Sequence, residues 1–551
     1  MSRTKHFVTV NGRRLHYRRS GQGPAVALFH SAAMSLKAFD LVEEVFSAGF
    51  TVFNFDIPGF GLSELLPQAR PEIADYADFF AHAFDVMRIE MVATYGRHFG
   101  GAIAVEFARR HPHRCAMALT DGFPVFTQKR DESYLSRYLP PIVPVWDGSH
   151  MTWLWYRCRE QHVFWPWNNQ KDETRSAADA PSPKGLHRAV VELLEAGSDY
   201  RIGYSAAFRH AGLDIIPDLK VPVCFGNRPG DSQHWTMKLY PPDAWIEEMP
   251  REAYEAAKAE LQLLRRHPAE GRLSDPVPCI SIEGKSTPGY LDIHGQQIFY
   301  RMVKRDGNEW PLLILHALPG TSALYDDLVL EAGKRRTSIA LDLPGHGESD
   351  ASRGSSQSIK DHAAAVVQFL DKLGIRQVHL YAHSTGGAVA LEVKRVSPER
   401  VGAVVLDAPP CFSPEQREAL ASNYAVDIDP SPEGSHLVRL WHHLRDQELW
   451  WPWFEKRHTA ARQTARIDPD RLLVLTRELA KQPQSYAASY REALRYPFCE
   501  RISDLLESVT LIGADDDIFW PTLRAAALDA VIVEDNARSR ATALLSAIES
   551  S

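Results

Sequence analysis

Apolar and polar residues alternate at the start of the chain and then give way to short runs that are apolar throughout. Val26-Ala27-Leu28-Phe29 and Leu312-Leu313-Ile314-Leu315 have the length and composition of buried strands. Each run ends on a histidine, His30 or His316, that opens a turn. Val378-His379-Leu380-Tyr381, Val404-Val405-Leu406, Val509-Thr510-Leu511-Ile512-Gly513 and Ala530-Val531-Ile532-Val533 predict further strands, and Ala388-Val389-Ala390-Leu391-Glu392 predicts the start of a helix. From Arg251 to His267, residues Tyr254, Ala257, Leu261 and Leu264 fall at i, i+3, i+7 and i+10, one apolar face of a helix. Its close, Arg265-Arg266-His267, places positive charge where the helix dipole favours it. Strands alternating with helices predict an α/β fold, a mostly parallel sheet covered on both faces.

The pattern occurs twice. Phe55-Asp56-Ile57-Pro58-Gly59-Phe60-Gly61 returns as Leu341-Asp342-Leu343-Pro344-Gly345-His346-Gly347, and Asp56 and Asp342 stand 286 positions apart. His30 and His316, Trp155 and Trp441, Tyr204 and Tyr490, and Ile246 and Ile532 keep the same offset of 286. Trp165-Pro166-Trp167 likewise recurs as Trp451-Pro452-Trp453. A register held over that distance marks a duplication. Near the start the offset shrinks to 283 (Gly12 against Gly295), because the loop at Val303–Glu309 is the longer one. Pro268, Gly271, Asp275, Pro276, Pro278 and Pro288 suit a linker, so the expected domains are 1–269 and 288–551.

Composition narrows the class. With 62 basic against 70 acidic residues the net charge is −8, which argues against a nucleic-acid or anionic-lipid surface. No apolar run approaches the roughly 18–20 residues of a spanning helix, and the start, Met1-Ser2-Arg3-Thr4-Lys5-His6, has no apolar signal core. Six cysteines without paired spacing read as unpaired thiols of a reducing cytoplasm and give no sign of a metal site. Nothing calls for a cofactor.

The chemistry lies at the turn Ala382-His383-Ser384-Thr385-Gly386-Gly387, between a strand and a helix. Small residues two before and two after the serine let the chain turn sharply and expose the hydroxyl, and the helix that follows aims free N–H groups at the site. With the His316 turn and the Asp342-x-Pro344-Gly345-x-Gly347 turn upstream, this resembles the nucleophile elbow of the α/β-hydrolase superfamily, and the resemblance covers nearly the whole chain, twice. It implies Ser384 as nucleophile and the N–H groups of Thr385 and Leu318 as oxyanion donors. It also implies an acid after a late strand, where Asp516 is the choice in Asp515-Asp516-Asp517, or at the end of the strand after the elbow helix, Asp407. In the first copy the elbow reads Gly96-Arg97-His98-Phe99-Gly100, with His98 aligned to Ser384 and Asp121 aligned to Asp407. A histidine cannot form an acyl-serine, so His98 marks a degenerate site kept for structure or ligand binding.

The family's histidine follows the last strand. Here that loop, Glu534-Asp535-Asn536-Ala537-Arg538-Ser539-Arg540, contains none, and His458 is the last histidine of the chain. General-base help is worth about 10²–10⁴-fold, so its loss matters. Replacement bases are His436, His442 and His443, or His383 beside the serine; of these His436 stands out because Gly434-Ser435-His436 repeats Gly148-Ser149-His150. Trp153–Trp167 and Trp441–Trp453 resemble the helical lids of the superfamily, and their indoles suit an apolar or aromatic pocket. Arg159-Glu160 and Arg445-Asp446 recur as structural ion pairs.

The resemblance therefore implies a hydrolase of an ester, thioester or C–C bond in a small molecule, working through Ser384 with the first copy as partner domain. A non-catalytic binding or scaffold protein and a non-hydrolytic lyase are the rival readings.

Overall fold

The computed structural model describes residues 3–126, 130–351, 358–505, 508–526 and 528–550. Met1, Ser2 and Ser551, at the outer ends of the expected domains, lie outside the described residues. The chain forms two compact units, one of residues 1–143 and 153–280, the other of 144–152 and 281–551. Segment 144–152, inside the first expected domain, thus groups with the second unit. Each unit contains one eight-stranded sheet.

In the first unit the strands are β1 (Thr4–Val10), β2 (Arg13–Ser20), β3 (Ala25–Phe29), β4 (Thr51–Phe55), β5 (Val92–Arg97), β6 (Cys115–Asp121), β7 (Val223–Asn227) and β8 (Trp245–Glu248). They lie in the order β1-β2-β4-β3-β5-β6-β7-β8. The second unit repeats this with β9 (Thr287–Ile293), β10 (Gln296–Val303), β11 (Leu312–Leu315), β12 (Ser338–Leu341), β13 (Val378–His383), β14 (Val401–Asp407), β15 (Val509–Gly513) and β16 (Val531–Ile532). Its order is β9-β10-β12-β11-β13-β14-β15-β16. The opening hairpin is antiparallel and pairs antiparallel with the next strand, and the remaining pairs are parallel. The last expected strand shrinks to Val531–Ile532, whose side chains are exposed at the sheet edge.

The apolar runs explain the two-sided core. Along β11, Leu313 and Leu315 pack into one cluster with the helices 359–372 and 387–396, while Leu312 and Ile314 pack into another with the helices 326–333 and 537–550. A strand whose alternate side chains both meet apolar helices must be apolar at every position. The helix expected over 251–267 spans Ala253–Leu264. Tyr254 lies exposed rather than on its apolar face, and the buried stripe is Ala257, Leu261 and Leu264 with Glu260. Burial pushes the Glu260 carboxyl up to about 8, so it sits there uncharged at neutral pH, with one oxygen accepting from the Tyr95 hydroxyl at 3.2 Å.

Three turns meet at the C-terminal edge of each sheet. In both units the histidine after the third strand bridges two of them. Nδ1 of His30 donates to the Ser31 carbonyl and Nε2 accepts from the Ile57 N–H at 3.0 Å. His316 repeats this with the Ala317 carbonyl and the Leu343 N–H, again at 3.0 Å. In the second turn, the Asp342 carboxylate accepts from the Ser322 and Glu348 N–H groups, and Asp56 accepts from those of Leu36 and Leu62. Gly61 and Gly347, each at φ +52°, sit where a Cβ would collide with these carboxylates. The third turn is the elbow, and there a Cβ on Gly386 would collide with the His316 carbonyl oxygen.

Gly386→Ala is therefore expected to cost about 2–4 kcal/mol, whereas Gly307→Ala, with open space around it, should stay within about 0.5 kcal/mol. Guanidinium unfolding of the two variants checks this, and equal stabilities would contradict the packing described.

Candidate active site

β13 runs into Ser384, which has φ of +51° and is buried, and one 3₁₀ turn, Ser384–Gly386, leads into the helix Gly387–Val396. Positive φ in a residue with a side chain is strained, and here it turns the serine out of the sheet. Ser384 borders a cavity of about 800 Å³ together with Leu318, His383, Tyr424, Asp517 and Phe519. Its hydroxyl makes no hydrogen bond among the described residues.

Of the expected oxyanion donors, the Leu318 N–H donates to the Thr385 hydroxyl at 2.9 Å, and that hydroxyl donates to the Leu318 carbonyl at 3.0 Å. Thr385 thus ties the elbow to the His316 turn through its side chain. Asp407 is fully buried at the end of β14 and takes hydrogen bonds from the Tyr381 hydroxyl and from Nε of Arg540, both at 2.6 Å. Arg540 belongs to the segment after the last strand, where the family keeps its histidine. Burial alone would lower its pKa, but the Asp407 charge beside it prevails and raises it. An arginine so placed holds its protons and cannot act as a base.

Asp516 borders the cavity and pairs with Arg466 at 3.0 Å. Asp517 lines the cavity as well, in a turn that closes through its N–H on the Ala514 carbonyl. Asp517 Oδ1 accepts from the Phe519 N–H, and Oδ2 lies 3.9 Å from Nε2 of His383. Nδ1 of His383 faces the Tyr325 hydroxyl at 3.0 Å. His436 is buried at the head of the helix Ser435–Gln447, where its Nδ1 accepts from the Ser431 N–H at 3.1 Å. His150 makes the same contact with the Val145 N–H, also at 3.1 Å. His436 is not among the residues that line the cavity, and neither are His442 and His443. Burial pushes His443 down to about 3, and its Nε2 faces Gln447.

The tryptophans of the inserted segments pack against backbone carbonyls and aromatic rings. Trp453 Nε1 donates to the Tyr424 carbonyl, as Trp167 Nε1 does to the Tyr138 carbonyl, and Trp451 meets Phe519 edge to face. None of them borders the second unit's cavity. The expected neighbouring ion pairs form, Arg159 with Glu160 at 2.7 Å and Arg445 with Asp446 at 3.1 Å.

In the first unit His98 occupies the elbow with φ of +48° and borders its own cavity of about 500 Å³. Its Nε2 lies 3.1 and 2.9 Å from the two carboxylate oxygens of Asp231. Asp231 stands 286 positions before Asp517, so the two copies mark Asp517 as the counterpart in the late acid turn. Asp121 is locked by Arg97 and Arg228. Both copies thus answer the carboxylate after the elbow helix with arginine, taken from different elements. Sequence reasoning missed this pairing because nothing local ties Arg540 to Asp407 or Arg228 to Asp121. Burial alone would lower the pKa of His98, but the charge and hydrogen bond of Asp231 outweigh it and raise it, while burial of Asp231 is outweighed by His98, which lowers it. Arg97, Asp121 and His162 are the other titratable neighbours of His98.

Fold and site together define a hydrolase scaffold. The chain belongs to the alpha/beta hydrolase fold family, whose match covers residues 24–192 and 311–426, more than half of its length. It is 40% identical over 100 residues to the dihydrolipoyllysine-residue acetyltransferase component of the acetoin cleaving system of Pseudomonas putida, covering 17% of this chain and 26% of that protein. It is 31% identical over 101 residues to haloalkane dehalogenase 2 of Mycobacterium bovis, covering 18% and 35%. The chain thus spans about a third of the length of the curated relatives it matches. Among solved structures it is similar to epoxide hydrolase A from Mycobacterium thermoresistibile, at 15% identity, 49% and 100% coverage and a TM-score of 0.39. It is also similar to the enol-lactonase from Burkholderia xenovorans, at 18% identity, 47% and 98% coverage and a TM-score of 0.36. Among the described residues no helix is long and apolar enough to cross a membrane.

The His98–Asp231 pair carries a pH signature. Because the folded pKa of His98 is raised above 6.5, its contribution to stability is complete below that value and is lost as pH rises through the folded value. The lowered pKa of Asp231 makes its contribution fade as pH falls below the ordinary carboxylate range. A histidine-ring NMR titration should place the His98 midpoint above 6.5 in the wild type and lower in Asp231→Asn, where burial is no longer opposed by the Asp231 charge; a wild-type midpoint under 6.5 would contradict the pair.

Proposed function

We propose that the second unit is a hydrolase that cleaves an ester, thioester or C–C bond of a small apolar or aromatic molecule through Ser384. The observation that carries this reading is the positive φ of Ser384 at the strand-to-helix turn, on the wall of a cavity of about 800 Å³. The N–H groups of Thr385 and Leu318 are the oxyanion donors, the Leu318 N–H being released when the Thr385 side chain rotates. Asp517 is the proton acceptor. Its counterpart Asp231 reaches the side chain at the elbow position directly, at 2.9 Å. Serine is shorter than histidine by an imidazole ring, which leaves room for a water between Ser384 and Asp517. Through that water the Ser384 proton passes to Asp517 as the oxygen attacks the carbonyl carbon. The proton returns to the leaving group, and a second water hydrolyses the acyl-serine. Asp407 and Asp516, both paired with arginine, shape the site, and His436 braces the inserted helices that act as a lid.

In this reading domain 1–269 carries no acyl-serine chemistry, domain 288–551 carries the reaction, and the protein works in the cytoplasm on a small molecule, without nucleic acid or membrane. A second reading, a binding protein, is favoured by one observation: the Thr385 hydroxyl already satisfies the Leu318 N–H.

A fluorophosphonate probe should label the folded wild type at Ser384 and leave Ser384→Ala unlabelled. Turnover of p-nitrophenyl butyrate should fall at least about 10²-fold in Ser384→Ala and in Asp517→Asn. No labelling with unchanged turnover in Ser384→Ala would sink the serine mechanism and leave the binding reading.

A further inference from the structure

The cavity of the first unit has a charge without an answer. Arg157 lines it from the helix Ser149–Val163 and is only 3% exposed. Its Nη1 donates to the Gln161 side chain at 2.6 Å, and its guanidinium lies over the Trp167 ring, 4.6 Å from the centroid. Its Nε meets no acceptor among the described residues. Of the other cations around the cavity, Arg97 and Arg228 are answered by Asp121 and His98 by Asp231, while Arg251 donates to the Ala177 carbonyl. Arg157 has no carboxylate partner among the described residues. Its titratable neighbours are Tyr138, Tyr200, Tyr204, Cys158 and His162, none of which is anionic at neutral pH, since burial raises the pKa of the phenols and the thiol and lowers that of the imidazole.

The second unit does without this charge. The position 286 further on is His443, which burial keeps neutral. A guanidinium taken out of water without a counter-charge is costly, and it persists where a ligand supplies the charge. Its planar fork of donors matches a carboxylate in two parallel hydrogen bonds. The space, about 500 Å³, suits one small molecule, and Phe126, Trp165, Tyr204 and Phe208 give it an aromatic wall.

We propose that the first unit is a receptor site for a small aromatic carboxylate, held by Arg157 with its ring against Phe126, Trp165 and Phe208. This site does not depend on Ser384 and stands whether or not the second unit hydrolyses anything. It gives the copy without the serine a task of its own, and His98, paired with Asp231, borders the same cavity.

Isothermal titration of the full chain with benzoate, benzamide and inorganic phosphate tests it. Benzoate should bind saturably, with benzamide and phosphate at least about tenfold weaker, because only benzoate joins the charge to the ring. Arg157→Gln should lose benzoate at least about tenfold, Arg157→Lys should retain part of the binding, and Ser384→Ala should bind as the wild type does. Ala189→Trp, which fills the cavity from its wall and leaves the arginine in the sequence, should abolish the rise in melting temperature that benzoate gives the wild type, and it serves where Arg157→Gln does not fold. Benzamide binding as tightly as benzoate overturns the proposal, as does phosphate binding as tightly or undiminished benzoate binding in Arg157→Gln or Ala189→Trp.

Discussion

A single neutral imidazole ring holds the working edge of each unit together. His30 and His316 each give their Nδ1 proton to the next carbonyl and take the N–H of the residue after the turn aspartate on Nε2. That ring fastens the turn after the third strand to the Asp-x-Pro-Gly turn, and the His316 carbonyl in turn fixes how closely the elbow at Gly386 can approach. The arrangement needs a ring with one donor and one acceptor, so the histidine must stay uncharged. Burial secures this, lowering His30 and pushing His316 down to about 4. Without the ring, a buried N–H and a strained elbow would be left unsupported.

On this shared frame the two copies have placed different chemistry. The elbow presents His98 in one and Ser384 in the other, with almost the same φ. The carboxylate after the elbow helix is retained in both but is bound by arginine, Arg97 and Arg228 for Asp121 and Arg540 for Asp407. Each of these carboxylates has taken arginine, and not histidine, as its charged partner. In the late acid turn, Asp231 and Asp517 hold the same place. The buried charge has moved as well: Arg157 stands in one copy where neutral His443 stands in the other.

Much of this was readable along the chain. Duplication, the apolar strands, the Asp turns and the elbow are local patterns, and short-range sterics dictate each of them. Small residues flank a strained turn, and apolar runs mark strands covered on both faces. That Asp516 and Asp517 both border the cavity was not readable in one copy alone, because neighbours in a turn point in different directions and spacing does not say which carboxylates face inward. Tyr254 fits a helical stripe by spacing, yet it lies outside because the stripe's edge was taken by Ala256 and Glu260.

The sequence by itself determined the α/β class, the repeat at 286 and the strained turns that place Ser384 and His98, since these depend on residue type and neighbours along the chain. Only the tertiary structure decided which charges are answered. Arg540 meets Asp407 across 133 positions and His98 meets Asp231 across another 133, while Arg157 meets no carboxylate among the described residues. Electrostatic partners are chosen by distance in space and by burial, and neither is written in the order of the residues.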